Sequence, residues 1–250
     1  MNPGTAYQSD KAVAVLLIGE PGSGKSNLCL DAFPAPYFLD CDGNLKSAIE
    51  RLPDRKFWFD RVEVDEAGVL VAPQARWNRL NKLLCEHATK PEVGSIVVDS
   101  MSKVTEYLQD HLLWSPSAEK SLQIGGEKVM TQHLWLPYKM LMQRFIIQLR
   151  SYGKPVALTC HIKYDKDELT GMVMLRPGMS GQLADNIAYL FTDFWMCETA
   201  TATDLKKWPK GVRYFVRTQP MPRIKLKCSV AAMPPEVDAG DVGQYVVVRG

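Results

Sequence analysis

Residues 12–26 read AVAVLLIGEPGSGKS, and this stretch decides the fold class. Residues 13–18 are wholly apolar and rich in β-branched side chains, the composition of a strand buried on both faces of a parallel sheet. The next eight, Gly19, Glu20, Pro21, Gly22, Ser23, Gly24, Lys25 and Ser26, match the P-loop pattern, and a helix over residues 25–33 stopped by Pro34 supplies its context. Three glycines let the backbone wrap a phosphate with its N–H groups pointing inward, while the helix N-terminus adds partial positive charge. Lys25 is placed to reach the β- and γ-phosphates of ATP and Ser26 to ligate Mg²⁺. The nucleotide cradle is therefore Gly19 to Ser26 together with Asn27.

Working outward, the chain alternates strands with helices. Strands are expected at 37–40, 94–99, 156–160 and 194–197, and helices at 45–52, 75–87, 103–113 and up to Phe191. The clearest helix has Pro137 in its first turn and Tyr138, Leu141, Met142, Phe145, Ile146 and Leu149 on one face, ending near Gly153. Segments 114–131 and 161–180 read as irregular, the second polar and turn-rich, whereas 213–217, 224–227 and 245–248 read as β structure. This order implies an α/β protein with a mostly parallel central sheet flanked by helices and a β-rich C-terminal part. The expected organisation is a tail at 1–11, an ATPase core at 12–200 and a basic extension of the same domain at 201–250.

Of 250 residues, 46% are hydrophobic and 23% charged, which suits a protein with a full core and excludes collagen, coiled coil and disorder. The longest apolar run, 12–18, is far short of the about 20 residues that a membrane helix needs. With no signal region in the polar residues 1–11, the expected compartment is the cytoplasm. The six cysteines are scattered without a C-x-x-C pair, as expected of reduced, packed thiols. Net charge is only +2, yet residues 205–228 hold eight cations, Arg217 and Arg223 among them, and no acid.

A second magnesium ligand is expected from the segment Ser95, Ile96, Val97, Val98, Asp99, an acid ending an apolar strand in the Walker B manner. Ser100 stands where AAA proteins carry a polarising glutamate, which argues against that group, and the absence of N-K-x-D argues against a GTPase.

With these motifs in this order, the chain resembles the RecA-like recombinase core and, in compact form, the phage ATPases of the single-strand-annealing Sak group. The resemblance implies that Asp42, in Phe38-Leu39-Asp40-Cys41-Asp42-Gly43, holds the position of the acid that orients the attacking water, one methylene shorter than the family's glutamate. It implies that His161, after Leu158-Thr159-Cys160, replaces the γ-phosphate-sensing glutamine. DNA contacts are implied in two segments, 114–130 after the Walker B strand, with Lys120 and Lys128, and 162–179 after the sensor strand, with Lys163, Tyr164, Lys166 and Arg176. Arg217 and Arg223 would reach the γ-phosphate of a neighbouring subunit. The function so implied is an Mg²⁺-dependent, DNA-stimulated ATP hydrolase that binds single-stranded DNA and assists annealing or homologous recombination. It would be phage-encoded, acting in the host cytoplasm as a homo-oligomer or filament with a single-strand DNA-binding protein as possible partner and no membrane association. Two alternatives stay open: a P-loop kinase of a small metabolite or nucleotide, and a nucleotide-gated binding module that hydrolyses little.

Overall fold

The computed structural model describes residues 13–51, 54–115, 123–124, 127–166, 168, 171–179 and 183–246. The chain order is β1 (Ala14–Gly19), α1 (Lys25–Ala32), β2 (Pro36–Asp40), α2 (Lys46–Arg51), β3 (Trp58–Arg61), α3 (Pro73–His87), β4 (Ser95–Asp99) and α4 (Met101–Leu113). A small hairpin of β5 (Gln123–Ile124) and β6 (Glu127–Lys128) leads to α5 (Gln132–Ser151), β7 (Val156–Lys166), β8 (Val173–Pro177) and α6 (Leu183–Asn186). β9 (Asp193–Thr201), β10 (Val212–Arg217), β11 (Glu236–Asp238) and α7 (Gly243–Val246) complete it.

The main sheet runs β11-β10-β9-β1-β7-β4-β2-β3, with β8 paired to β7 beyond the sheet's edge. β1, β2, β3, β4, β7 and β9 are mutually parallel, while β8, β10 and β11 add antiparallel pairings. The largely apolar central strands follow from this arrangement, because successive side chains enter opposite cores. Leu16 and Ile18 of β1, Ile96 and Val98 of β4 and Leu158 of β7 pack beneath α3, α4 and α5 against Leu80, Leu108, Phe145 and Ile146. Val15, Leu17, Val97 and Ala157 face the other way, against Leu28 and Leu30 of α1, Trp195, Val237 and Val246. Strand order puts β7 between the P-loop strand and the Walker B strand, so the C-terminal ends of β1, β7 and β4 lie side by side.

Several boundaries differ from the expected ones. β3 escaped sequence reading because its four residues alternate between half-buried and exposed on an edge strand. Segment 161–180 is mostly a β-hairpin rather than a run of turns, since β7 continues to Lys166 and pairs with β8. Its residues are largely exposed and polar, which hides a strand from hydrophobic periodicity. α5 starts at Gln132, so Pro137 lies inside the helix rather than in its first turn. The buried Leu134 and Tyr138 hold this turn in place although proline supplies no N–H to it. Met142 is buried as a core residue, but Met140 is exposed. In the expected strand at 245–248, Tyr245 and Val246 belong to the helical turn α7, and 247–250 lie outside the described residues. Segment 224–227 makes only isolated bridges, Met221 with Ile224 and Phe194 with Lys227. None of the six cysteines forms a disulfide; four are buried, Cys228 is half-buried and Cys85 is exposed. No helix among the described residues is long and apolar enough to cross a membrane.

Leu16 has no exposed surface and sits at the centre of one core. Leu16→Ala should therefore lower unfolding stability by about 2–5 kcal/mol in urea titration. Ile147→Ala, at a helix position that is 59% exposed, should change it by no more than about 0.5 kcal/mol.

Candidate active site

The P-loop is shaped by contacts that only glycine permits. A Cβ on Gly19 would lie 2.4 Å from the Ser23 Oγ and 2.6 Å from the Cys197 carbonyl oxygen, because the loop folds back against β9 at this point. Gly22 and Gly24 have φ of 80° and 86°, the left-handed region that turns the loop into α1. The Lys25 ammonium is buried and donates to the Gly19 and Glu20 carbonyls at 2.9 Å each. An ammonium has three donors, so one remains for a phosphate oxygen.

Asp99 ends β4 in the wall beside this loop and is buried. Its Oδ2 accepts from the Ser26 hydroxyl at 2.5 Å, and its Oδ1 accepts from the Thr159 hydroxyl on β7. Burial pushes its pKa up, opposed by those two donors and by Lys25. Asp40, its register partner on β2, is likewise raised, to about 6, by burial and then by the neighbouring carboxylates of Asp99 and Asp42. Among the described residues no group of three or more His, Cys, Asp or Glu side chains could cage a metal alone. The donors present, a serine hydroxyl and one carboxylate beside a phosphate cradle, nevertheless fit Mg²⁺, which keeps several waters and takes few protein oxygens. A buried carboxylate among other acids is also a group whose charged form a cation would favour.

The loop after β2 is tied to the end of β4 through its backbone: the Cys41 and Asp42 N–H groups donate to the Asp99 carbonyl at 2.6 and 3.2 Å. This brings the Asp42 carboxylate to the cleft, where its Oδ1 accepts from the Ser100 hydroxyl at 3.1 Å and its Oδ2 lies 3.3 Å from the His161 Nε2. The His161 N–H donates to the Ser102 Oγ at 3.1 Å, fixing the strand end that carries the ring. His161 Nδ1 is buried without a hydrogen-bond partner among the described residues. A cleft of about 670 Å³ is lined by Gly22, Lys25, Ser26, Asp42, Asp99 and His161, so groups from four strand ends meet in one cavity. Chemically it offers phosphate binding, a cation position and a carboxylate able to orient water.

Ser100, Ser102 and Thr159 were missed as site residues. Thr159 had a visible signal, a hydroxyl inside the buried run Leu158-Thr159-Cys160. Ser100 was read only for the glutamate it replaces.

The remaining candidates are not among the residues that line this cleft. Lys128 donates to the Leu113 carbonyl at 3.1 Å and sits 5.3 Å from the Trp114 ring, closing the end of α4. Lys120 lies outside the described residues. Lys163, Tyr164 and Lys166 share β7 and Arg176 lies opposite on β8, paired with Asp165 at 3.1 Å. The Tyr164 hydroxyl donates to Glu20 in the P-loop, a contact between the hairpin and the cradle. Arg217 is held by Glu198 at 2.6 Å and Glu236 at 3.4 Å, and Arg213 by Glu236 and Asp238. Of the acid-free basic run, Lys207, Arg213 and Arg217 are thus paired with acids that flank the run in sequence. Arg223 has an exposed side chain, and its carbonyl accepts from the Leu175 N–H.

Residues 11–227 match the family of AAA domains, and the chain belongs to that family. Ser100 therefore does not set it apart from AAA proteins, contrary to the expectation. The position after Asp99 bears a hydroxyl that hydrogen-bonds Asp42, so a carboxylate reaches this part of the cleft from the neighbouring strand instead. No curated protein matches the chain as a relative. Among solved structures it is similar to a KaiC-like protein from the hyperthermophilic archaeon Pyrococcus horikoshii OT3, at 11% identity and a TM-score of 0.41, over 88% of this chain and 84% of that one. The chain is an ATPase-type P-loop domain that binds nucleotide.

Gly19→Ala should abolish nucleotide binding in calorimetry, since the added methyl meets backbone and a neighbouring serine. Gly22→Ala, whose Cβ would meet nothing within 4 Å, should cost only about 1–2 kcal/mol of stability for its left-handed φ. Asp40→Asn gives a pH-dependent result. Because the folded pKa of about 6 lies above the ordinary value of 3.8, the contribution of Asp40 is fully present below about pH 4 and is lost as pH rises through 6. The asparagine variant should match the wild type at pH 3.5 and be more stable by about 3 kcal/mol at pH 8, read by urea unfolding at each pH.

Proposed function

We propose that this AAA-domain ATPase hydrolyses ATP in an Mg²⁺-dependent reaction coupled to single-stranded DNA, and serves strand annealing or recombination as a homo-oligomer. One observation carries the reading: the Asp42 carboxylate, held between Ser100 and His161, shares a cleft with Lys25, Ser26 and Asp99. Lys25 neutralises charge on the transferred phosphoryl group. Asp42 orients a water and accepts its proton, and Ser100 and His161 keep that carboxylate turned into the cleft. Ser26 and Asp99 would hold Mg²⁺, which when bound screens the phosphate charge.

The DNA part of the proposal rests on the β7–β8 hairpin. It continues directly from His161 and carries Lys163, Tyr164 and Lys166 on exposed strand positions. Cations that follow phosphates and a ring that stacks on bases suit a single strand. The Tyr164 contact to Glu20 gives DNA on the hairpin a physical route to the P-loop. An arginine role across a subunit interface falls more readily to the exposed Arg223 than to Arg217, which would have to leave Glu198 and Glu236.

Phosphate release with and without single-stranded DNA tests this. The wild type should be stimulated by DNA. Lys25→Ala should lose turnover by on the order of 10²–10³. Asp42→Asn should keep nucleotide affinity within about threefold while kcat falls by on the order of 10²–10⁴. Wild-type turnover in Asp42→Asn would remove its role, turnover only with a small acceptor would mark a kinase, and nucleotide binding without turnover a gated binding module.

A further inference from the structure

Helix α5 is apolar on two opposite sides. One row, Leu134, Tyr138, Met142, Phe145 and Leu149, is buried in the core beneath the helix. The other, Leu136, Met140 and Ile147, stands 64%, 44% and 59% exposed. At 3.6 residues per turn these three lie within about 40° of one another and point away from the buried row. Their spacing, four and then seven residues, is that of a seam between paired helices, with Gln143 as the polar position inside it. One exposed leucine would need no explanation, but three large apolar side chains in line on a rigid helix form a ridge suited to a partner.

The charges beside this row have one sign. Residues 132–151 hold Lys139, Arg144, Arg150 and His133 and no acid. Lys139 flanks the row on one side and Arg144 on the other, and neither has an ion pair or hydrogen bond among the described residues. In this they differ from Lys207, Arg213 and Arg217, each of which meets an acid. Arg150, at the end of the helix, donates to the Leu190 carbonyl at 2.9 Å. A second copy of α5 is a poor occupant. Antiparallel pairing that sets Leu136 against Ile147 also sets Lys139 against Arg144, and parallel pairing sets each cation against itself. A bilayer would gain only three side chains from a helix whose other face is committed to the core.

We infer that this face of α5 docks an amphipathic helix of a partner protein, one that carries an apolar row at the same spacing with Asp or Glu on both sides of it. The apolar row of the partner covers Leu136, Met140 and Ile147, and its acids meet Lys139 and Arg144. None of these residues lines the phosphate cleft, so the inference stands apart from the nucleotide reading.

Three synthetic helical peptides of about three heptads each test it by fluorescence anisotropy with the full chain. The first has Leu at positions a and d and Glu at e and g, the second the same Leu row with Lys at e and g, and the third the Glu flanks with Ser in place of Leu. Wild-type protein should bind the first at least about tenfold more tightly than the other two. Leu136→Asp should weaken that binding by about tenfold or more, and Ile147→Ala by about 3- to 30-fold. Lys139→Glu combined with Arg144→Glu should turn the preference toward the Lys-flanked peptide. All variants should melt like the wild type and keep its ATP turnover. Equal binding of the Glu- and Lys-flanked peptides, or full affinity in Leu136→Asp, would overturn the inference. Wild-type binding to phosphatidylglycerol vesicles that Leu136→Asp abolishes would overturn it as well, because the face would then meet lipid. A wild-type dimer in sedimentation that Leu136→Asp dissociates would do the same, because a second copy would then be the occupant.

Discussion

The carboxylate of Asp99 is the joint on which the site depends. It accepts from Ser26 at the head of α1 and from Thr159 on β7, and its own backbone carbonyl receives the N–H groups that place Asp42. Three elements that are distant in sequence are locked at one strand end by one residue. A buried carboxylate is costly unless its oxygens are hydrogen-bonded, and here both oxygens are, by hydroxyls rather than by a cation. The burial that raises its pKa also marks it as a group whose charge a bound cation would support.

Strand order turns that joint into a cleft. With β7 inserted between β1 and β4, Gly19 and His161 stand in register, and Asp40 and Asp99 do so one strand further on. The P-loop, the water-orienting candidate and the sensor candidate therefore face one cavity although they span residues 19 to 161. The largely apolar interiors of these strands, with Thr159 the exception on β7, leave their C-terminal ends as the place where polar groups gather. The β7–β8 hairpin grows from the same edge, and its Tyr164 returns to the loop at Glu20.

Legibility in the sequence followed burial. The P-loop was readable from its glycine pattern, the Walker B strand as an unbroken apolar run buried on both faces, and the long amphipathic helices because burial on one face imposes a period. The hairpin of β7 and β8 and the edge strand β3 were not, because half-exposed polar strands carry no such period. Lys25, Ser26 and Asp99 could be named from local pattern alone. Asp42 and His161 came from family resemblance, and their pairing at 3.3 Å is a tertiary fact that no spacing of 119 residues reveals. Thr159 was legible as a lone hydroxyl in an apolar strand; Ser100 acquires meaning only through what it touches. The basic run at 205–228 misled in the opposite sense, since Glu198, Glu236 and Asp238 lie outside it in sequence and against it in space.

The most direct test of this account is the magnesium dependence of ATP affinity in wild type and Asp99→Asn, measured by titration calorimetry with folding checked by thermal melting. If Ser26 and Asp99 form the cation position beside the P-loop, Mg²⁺ should tighten ATP binding by the wild type by about tenfold or more, a gain of about 1.4 kcal/mol, and should leave the affinity of the variant nearly unchanged. An undiminished magnesium effect in folded Asp99→Asn would contradict the account, because the cation would then be held without the residue on which the cleft converges.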